Sequence, residues 1–425
     1  MGKNVRLTMF FLIFCASLFT REIQAQEANL ISTEKQNQQT FFADSSMNWL
    51  RKIKISGYIQ ADYQYGEEDA SLKVGGENEN PEKAFNRIGI RRGRIKFTYE
   101  ERIVSGVFQL DLTENGIKFK DVYLNIKDPW LKTNSLRAGV FDRPFGFEIS
   151  YSSSLRETPE RSTVFQTLFP EERDLGVMLQ LQAAGDSPLN FMKLQAGLFA
   201  GNGIKEETDS RRDFIGHLSA TRNIGKVFRI GGGLSYYHGS VYQGTEHVYR
   251  MVDKSFVLDN NPENRGKFAK RQYIGFDVQI GYTSCLGLTQ LRGEYLFGEQ
   301  PGVQKNSKSP NSSDLPETDT YIRRFSGGYV VFIQDLGKLP LSAVLKYDWY
   351  DPNVKIKKDE IGLNNTGTGD IAMQTVGVGG LWRINKNLRL QALYEFNSNE
   401  KSENLKGYDV NRKDDVFTLR LQYKF

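Results

Sequence analysis

Basic side chains recur at every second position in one segment of the chain. Arg92, Arg94 and Lys96 alternate with glycine and apolar residues. A period of two places alternate side chains on opposite faces of a β-strand, so the three cations form one column. Fixed cations in a narrow, water-filled passage attract anions through the focused field. The chemistry that this spacing predicts is the binding or passage of anions, without a covalent step.

Residues that could support catalysis are scarce. His217 falls within a predicted strand, His238 and His247 fall at or beyond the end of another, and no Gly-x-Ser-x-Gly motif accompanies them. Cys285 is the one cysteine beyond the N-terminal segment, which excludes an internal disulfide and a four-cysteine zinc site. We therefore predict no enzyme activity, no cofactor and no metal site, with a hydrolase at the rim as the enzymatic alternative.

The segment that carries the three cations is one of sixteen that alternate in the manner of β-strands. The first, Ile53 to Tyr65, is longer than the roughly 5–6 residues usual for strands of soluble proteins. The last, Phe417 to Phe425, ends the chain. The other fourteen lie near 87–99, 103–112, 117–127, 135–143, 175–184, 190–200, 212–224, 226–238, 269–283, 286–298, 321–335, 339–350, 372–384 and 387–398.

The connectors between these segments alternate between short and long, and 113–116 alone breaks the rule. Short turns on one rim, long polar loops on the other and an even strand number are typical of bacterial outer-membrane barrels. We therefore predict an all-β fold, a transmembrane antiparallel β-barrel of about 16 strands with long extracellular loops and short periplasmic turns.

A soluble sandwich or propeller is the alternative, because its strands also alternate. A soluble fold of this kind does not require aromatic residues at the ends of its strands. In membrane proteins, by contrast, Tyr and Trp are enriched where the protein meets the lipid headgroups. Hydrocarbon also excludes an open sheet edge, so the strands must close on themselves. The aromatic residues concerned are Tyr63, Tyr65, Tyr99, Tyr282, Tyr347, Trp349, Trp382 and Tyr423.

The N-terminus has the features of an export signal. Lys3 and Arg6 precede an uncharged stretch too short to span a bilayer, and cleavage is predicted after Ala25. The net charge of +5 is small for 425 residues and does not indicate nucleic acid as a partner. The predicted organisation is a signal peptide at 1–25, a short periplasmic extension at 26–50 and an outer-membrane barrel at 51–425 of a Gram-negative cell.

Four stretches carry more specific motifs. They are Arg-Arg-Gly-Arg-Ile-Lys-Phe at 91–97, Lys-Asp-Val-Tyr-Leu at 120–124, Leu-Arg-Ala-Gly-Val-Phe-Asp-Arg-Pro-Phe-Gly at 136–146, and Glu-Arg-Ser at 160–162 followed by Pro170 and Arg-Asp-Leu-Gly at 173–176. Together they resemble the phosphate-selective porin O and P family over about 90–180. The resemblance implies a sixteen-stranded barrel, usually trimeric, whose third loop (here 144–174) folds into the lumen. It also implies passive passage of small solutes, including anions and phosphate in some members.

Assigning the polar side of each strand to the lumen gives a predominantly basic wall. A barrel of this size leaves an aqueous channel. Twelve basic residues on that face outnumber seven acidic ones, whereas 144–174 carries six carboxylates and three arginines, a net charge of −3. The basic wall residues are Lys54, Arg92, Arg94, Lys96, Arg137, Lys193, Arg229, Arg292, Arg324, Lys346, Arg389 and Arg420.

The function predicted from the sequence is that of a homotrimeric outer-membrane porin for small hydrophilic solutes, in contact with outer-membrane lipid, with a preference for anions or phosphate. An acidic inward loop would instead give a mixed-charge, unselective constriction, and a binding or adhesion role is the other alternative. Arg156 and Arg161 could also pair with nearby glutamates and only fix the loop to the wall. The predicted pore-lining, anion-interacting residues are Lys54, Arg92, Arg94, Lys96, Arg137 and Arg143 on the wall and Arg156 and Arg161 on the loop.

Overall fold

A computed structural model describes residues 52–207, 209–309 and 318–425. Almost all of these residues belong to long strands and their connections, and the one α-helix has six residues. The predicted signal peptide and the 26–50 extension lie outside the described residues. The elements are β1 (Ile53–Gly66), β2 (Phe85–Glu101), β3 (Val104–Thr113), β4 (Gly116–Lys127), β5 (Ser135–Asp142), α1 (Thr163–Leu168), β6 (Arg173–Gln182), β7 (Met192–Phe199), β8 (Asp213–Ile224), β9 (Phe228–Tyr242), β10 (His247–Val252), β11 (Ser255–Asn260), β12 (Phe268–Ser284), β13 (Gly287–Gly302), β14 (Thr320–Asp335), β15 (Leu341–Asp351), β16 (Met373–Arg383), β17 (Leu388–Asn399) and β18 (Val416–Lys424).

Sixteen of the strands form a closed antiparallel barrel, which confirms the predicted fold class. Each strand pairs with its neighbour along the chain, and β1 pairs with both β2 and β18. Closure removes every free edge, as a hydrocarbon environment requires. Short turns lie on the rim where β1 begins and β18 ends, which we call the periplasmic rim, and most long loops lie on the opposite rim.

The remaining two strands were missed by the sequence analysis, which treated 239–268 as a loop. β9 pairs directly with β12, so β10 and β11 are outside the barrel wall. They pair with each other as a hairpin, and β10 adds three parallel pairs to the start of β14, from Val248 with Thr320 to Arg250 with Ile322. The hairpin therefore extends the extracellular end of the barrel.

The outward face of the barrel is apolar. Side chains such as Ile55, Leu124 and Leu345 remain between 49% and 59% exposed. Exposed apolar surface on this scale is a contact surface for lipid or for protein. Among the described residues, no helix has the length and apolar character needed to cross a membrane.

Two β-bulges turn consecutive polar residues towards the lumen. In β2 the register against β1 shifts so that Arg91 has no partner, between the pairs Gln60–Arg92 and Ala61–Ile90. In β4 a second shift sets Lys120 and Asp121 against one residue of β3. A bulge inserts one extra residue and redirects the side chains around it. Arg91 and Lys120, both absent from the predicted site, consequently reach the lumen.

Candidate functional site

The segment 143–172, between β5 and β6, crosses the inside of the barrel. Its contacts reach strands spread around the whole wall, which is possible only for a segment within the lumen. Hydrogen bonds of 2.6 to 3.3 Å join the segment to four strands. They link Ser153 to the Tyr58 hydroxyl of β1, the Gly146 amide to the Ser235 hydroxyl of β9, the Thr163 amide to the Asp348 carboxylate of β15, and the Arg156 carbonyl to the Gln391 side-chain amide of β17.

Aromatic packing fills one side of the lumen. Phe145, Phe165 and Phe169 of the segment are each 1% exposed and meet inward-facing side chains of β9, β12 and β14. The ring of Phe169 lies 4.9 Å from that of Phe145 and 5.7 Å from that of Tyr273, measured between centroids. Because this cluster excludes water, the space open to solutes lies elsewhere in the barrel cross-section.

On the opposite side, Glu160 is the centre of a buried ion-pair network. It accepts hydrogen bonds from Arg91 at 2.9 and 3.0 Å, from Arg92 at 2.8 Å and from Arg420 at 2.9 Å. Arg420 also forms a two-pronged pair with Asp62 at 2.7 Å. Burial alone would raise the pKa of Glu160, but the surrounding guanidinium groups outweigh it and hold the pKa well below its usual value.

A second group of ion pairs lies beside the segment at β2 to β6. Arg94 pairs with Asp111 at 3.3 Å, and Arg173 pairs with Asp121 at 2.9 Å. Arg161 of the segment pairs with Glu172 and donates at 3.0 Å to the carbonyls of residues 148 and 149. Although burial opposes ionisation of Glu172, Arg161 and Arg173 keep its pKa well below the ordinary range.

Two further arginines of the predicted site are buried and face protein. Arg143 is 1% exposed and pairs with Asp174 at 3.2 Å. Arg156 donates to the carbonyls of Thr158 and Pro159 at 3.2 and 3.0 Å and has no carboxylate partner among the described residues. Burial, together with nearby cations, lowers the pKa of Arg156 to about 9, so it stays charged at neutral pH. Both residues organise the segment.

Apart from Arg156, the predicted cations without an ion pair in the described part of the chain are at the periplasmic end of the wall. Lys54 is exposed near the start of β1, and Lys96 is half-buried near the end of β2. Arg137 lies over the rings of Tyr123 and Phe141, at 4.5 and 5.4 Å from their centroids, and its Nε has no hydrogen-bond partner. Lys193 and Arg229, both in the predicted basic wall, occupy equivalent positions at the starts of β7 and β9.

Lys96 and Arg137 share a cavity of about 350 Å³ on this side of the segment. Its other charged residues include Arg94, Arg161 and Lys424, whereas its acidic residues Asp121 and Asp142 both pair with Arg173. Hydroxyl groups of Tyr58 and of the serines at 150 and 152–154 complete the lining. The cavity therefore combines excess positive charge with hydrogen-bond donors, a combination suited to anions.

A larger cavity of about 800 Å³ opens on the same rim, beneath the aromatic cluster. Its lining includes His217, whose Nε2 lies 2.9 Å from Asp277 Oδ2. No group of three or more His, Cys, Asp or Glu side chains that could hold a metal ion occurs in the described residues.

One wall assignment was wrong. Arg324 is exposed on the outward face of β14, because its buried neighbours Arg323 and Phe325 take the inward positions. Arg92, Arg94, Lys346 and Arg420 do face the lumen, but each is neutralised by a carboxylate: Lys346 Nζ lies 2.8 Å from Asp348 and 3.1 Å from Glu395. The column of Arg92, Arg94 and Lys96 is therefore mostly paired, with Lys96 the exception among described residues.

Comparison with known proteins identifies the fold but not a family. No protein-family profile and no curated protein sequence matches the chain. Among solved structures, OmpF of Salmonella typhi in complex with daunomycin aligns with a TM-score of 0.53 at 12% identity, over 88% of this chain and 97% of that one. OmpT, an outer membrane protein of Vibrio cholerae in a trimer form, aligns with a TM-score of 0.51 at 12% identity, over 88% and 99%. The chain thus shares the fold of these outer-membrane barrels, and these comparisons do not support the more specific resemblance to phosphate-selective porins.

Proposed function

We propose that this chain is an outer-membrane porin that passes small hydrophilic solutes by passive diffusion and favours anions. The observation that carries the proposal is the basic cavity at Lys96 and Arg137, in which Lys424 is a third cation without an ion pair among the described residues and Arg173 partly offsets the two carboxylates. The unpaired cations leave a positive potential at the periplasmic mouth, and such a potential favours anions. Inorganic phosphate belongs to the class of solute that these donors would bind.

The ion pairs deeper in the barrel have a different role in this proposal. Arg92, Arg94 and Arg161 each face a carboxylate, so their charges largely cancel for a passing ion. Opposed charges across a narrow passage create a transverse field that orients solutes without strongly selecting their sign. Selectivity would then arise at the periplasmic mouth, and the segment 143–172 would set the width of the passage.

The location and assembly belong to the same proposal. The apolar outward face supports insertion in the outer membrane, reached through a signal peptide cleaved after Ala25. The solved OmpT structure of similar fold is a trimer form, and we propose a homotrimer here as well. We propose no enzymatic activity.

The test is the reversal potential of the purified protein in a planar bilayer under a salt gradient, measured again with phosphate added. We expect stepwise conductance, an anion-side reversal potential and block by phosphate. Replacing Lys96 and Arg137 by glutamine should move the reversal potential towards cations. The matched control is Arg324→Gln, which removes a charge from the outward face.

Two outcomes would contradict the proposal at different levels. An unchanged reversal potential in the Lys96→Gln, Arg137→Gln variant would place both residues outside the conducting path and leave an unselective porin. A folded, inserted protein that gives no conductance steps would reject the channel itself and favour a binding or adhesion role.

A further inference from the structure

The outward face of β3 to β8 lacks the tyrosine and tryptophan side chains that border lipid elsewhere on this barrel, and its outward aromatic residues are phenylalanines such as Phe119. From residue 100 to residue 235 the chain contains three Tyr or Trp residues: Tyr123, Trp130 and Tyr151. Tyr123 contacts Arg137 inside the wall, Tyr151 belongs to the inward segment, and Trp130 lies in the turn between β4 and β5. None of the three is on the outward surface of these strands.

The rest of the wall shows the contrasting pattern. Outward-facing tyrosine or tryptophan occurs on β1, β9, β12, β13, β15, β16 and β18. These side chains are 36–50% exposed, as expected where a ring meets lipid headgroups. They are Tyr65, Tyr236, Tyr282, Tyr295, Tyr347, Trp382 and Tyr423.

The barrel wall also has its shortest strands within the face that lacks outward tyrosine and tryptophan. β5 and β7 have eight residues each, the shortest strands of the barrel. A tilted strand needs about 9–11 residues to cross the hydrocarbon core. Backbone groups beyond the ends of β5 and β7 would meet lipid unless protein covers them, because hydrocarbon cannot satisfy their hydrogen bonds.

The surface of this face has the relief of a packing surface. Leu124 is 59% exposed and stands between Gly106 and Ala138, its cross-strand neighbours on β3 and β5. Small residues beside a projecting aliphatic one form a ridge flanked by grooves. Val177 and Leu198 extend the same row across β6 and β7, at 47% and 55% exposure.

We infer that the outward face of β3 to β8 is the surface through which copies of this chain associate. Six strands spaced about 4.8 Å apart and a band about 25 Å tall give roughly 700 Å² on each copy, which a ring of three divides between two neighbours. A copy that leaves the ring loses both contacts, so the area it exposes is close to the ~800 Å² per partner of a stable interface. In a ring of three copies each contact joins two different parts of the surface, so the ridge of one copy faces the grooves of the next. The inference rests on the proposed trimer and is independent of solute passage.

Spin labels test which face lipid reaches. In a Cys285→Ser background, which removes the exposed native thiol, nitroxide labels are placed at Leu124→Cys and, as the matched control, at Leu345→Cys on β15. Both positions are outward and apolar. In lipid vesicles we expect oxygen accessibility several-fold lower at 124 than at 345. Equal, high accessibility at both positions would show that lipid covers β3 to β8 and would overturn the inference.

A charge variant tests the assembly directly. Val177→Arg should convert trimers to monomers in native mass measurements in detergent, whereas Leu345→Arg, equally exposed, should leave trimers intact. The reverse result, or a wild-type protein that is monomeric throughout, would overturn the inference. Conductance of the Val177→Arg monomers separates the two proposals, since a conducting monomer retains the channel while losing the interface.

Discussion

Glu160 of the inward segment lies 2.9 Å from Arg420 of the last strand, although 260 residues separate them in the chain. The same carboxylate also neutralises Arg91 and Arg92 of β2. One glutamate therefore links the segment to the two strands that flank β1, where the barrel closes. Because β18 and β2 both pair with β1, the contact depends on complete assembly of the wall.

Replacing Glu160 by glutamine should destabilise the barrel and increase its anion selectivity. Loss of the carboxylate leaves buried guanidinium groups unpaired, which costs about 3–5 kcal/mol. The freed charge of Arg91 and Arg92 would add to the positive potential along the passage. Urea unfolding and the reversal potential measure the two effects. Glu82→Gln, in an exposed extracellular loop, serves as the control, and a selectivity equal to that of wild type would place Glu160 away from the ion path.

Truncating Phe169 should loosen the inward segment. Its ring packs against Phe145, Phe165, Tyr237 and Tyr273, so Phe169→Ala leaves a cavity and costs about 3–5 kcal/mol. With the segment less firmly packed, we expect larger and noisier single-channel conductance. Leu155→Ala changes a half-exposed residue of the same segment and should leave both the stability and the single-channel conductance unchanged. Wild-type conductance in the destabilised Phe169 variant would show that the aromatic cluster does not limit the passage.

Gly233 makes room for a hydrogen bond that crosses a strand. His217 on β8 reaches Asp277 on β12 over the backbone of β9, and a Cβ at 233 would lie 2.2 Å from His217 Nε2 and 2.5 Å from Asp277 Oδ2. Gly233→Ala should therefore break the bond and cost about 1–3 kcal/mol. Gly281→Ala, whose nearest contact would be an ordinary 3.8 Å, is the control. Equal unfolding midpoints for the two variants would contradict this role of Gly233.

Asp414, in the extracellular loop before β18, should make stability depend on pH. Burial, with Asp415 and other nearby carboxylates, raises its pKa to about 6, despite the opposing charge of Arg412. The folded state therefore favours the protonated form of Asp414. The protonated carboxyl contributes fully to the free energy of unfolding below the unfolded pKa of about 3.9, and this contribution is lost as the pH rises through about 6.

The variant Asp414→Asn removes this dependence. At pH 8 it should be more stable than wild type by about 1 kcal/mol, a value reduced for partial solvent screening, and at pH 4 the two should match. Unfolding by urea at both pH values checks this, with the exposed Asp409→Asn as control. A stability difference that is the same at both pH values would show that ionisation of Asp414 is not its cause.

The strands themselves could be predicted from the sequence because period-two alternation is a local property. The predicted segment at 321–335 became β14 at Thr320–Asp335, and the one at 212–224 became β8 at Asp213–Ile224. The bulges also left a local trace: the apolar residues of β2 change from even positions at Ile88 and Ile90 to odd ones at Ile95 and Phe97. Attention to that change would have identified Arg91.

The hairpin of β10 and β11 escaped detection for a related reason. Its strands have six residues each and extend from the extracellular rim, so neither shows the length expected of a membrane-crossing strand. The turn between them, with Asp253 at φ 50°, falls within the stretch that the alternation of short and long connectors assigns to one long loop. Its pairing with the start of β14 depends on the position of that strand in the closed wall.

The sequence by itself determined the antiparallel barrel and the order of its sixteen wall strands, because both follow from alternation and connector length. Only the tertiary structure decided which cations are free. Arg92 and Arg94 are paired and Lys96 and Arg137 are not, within the part of the chain that the structure describes. Whether a charge is cancelled depends on strand register and on where the inward segment crosses the lumen. Both depend on contacts between residues far apart in sequence, such as Glu160 and Arg420.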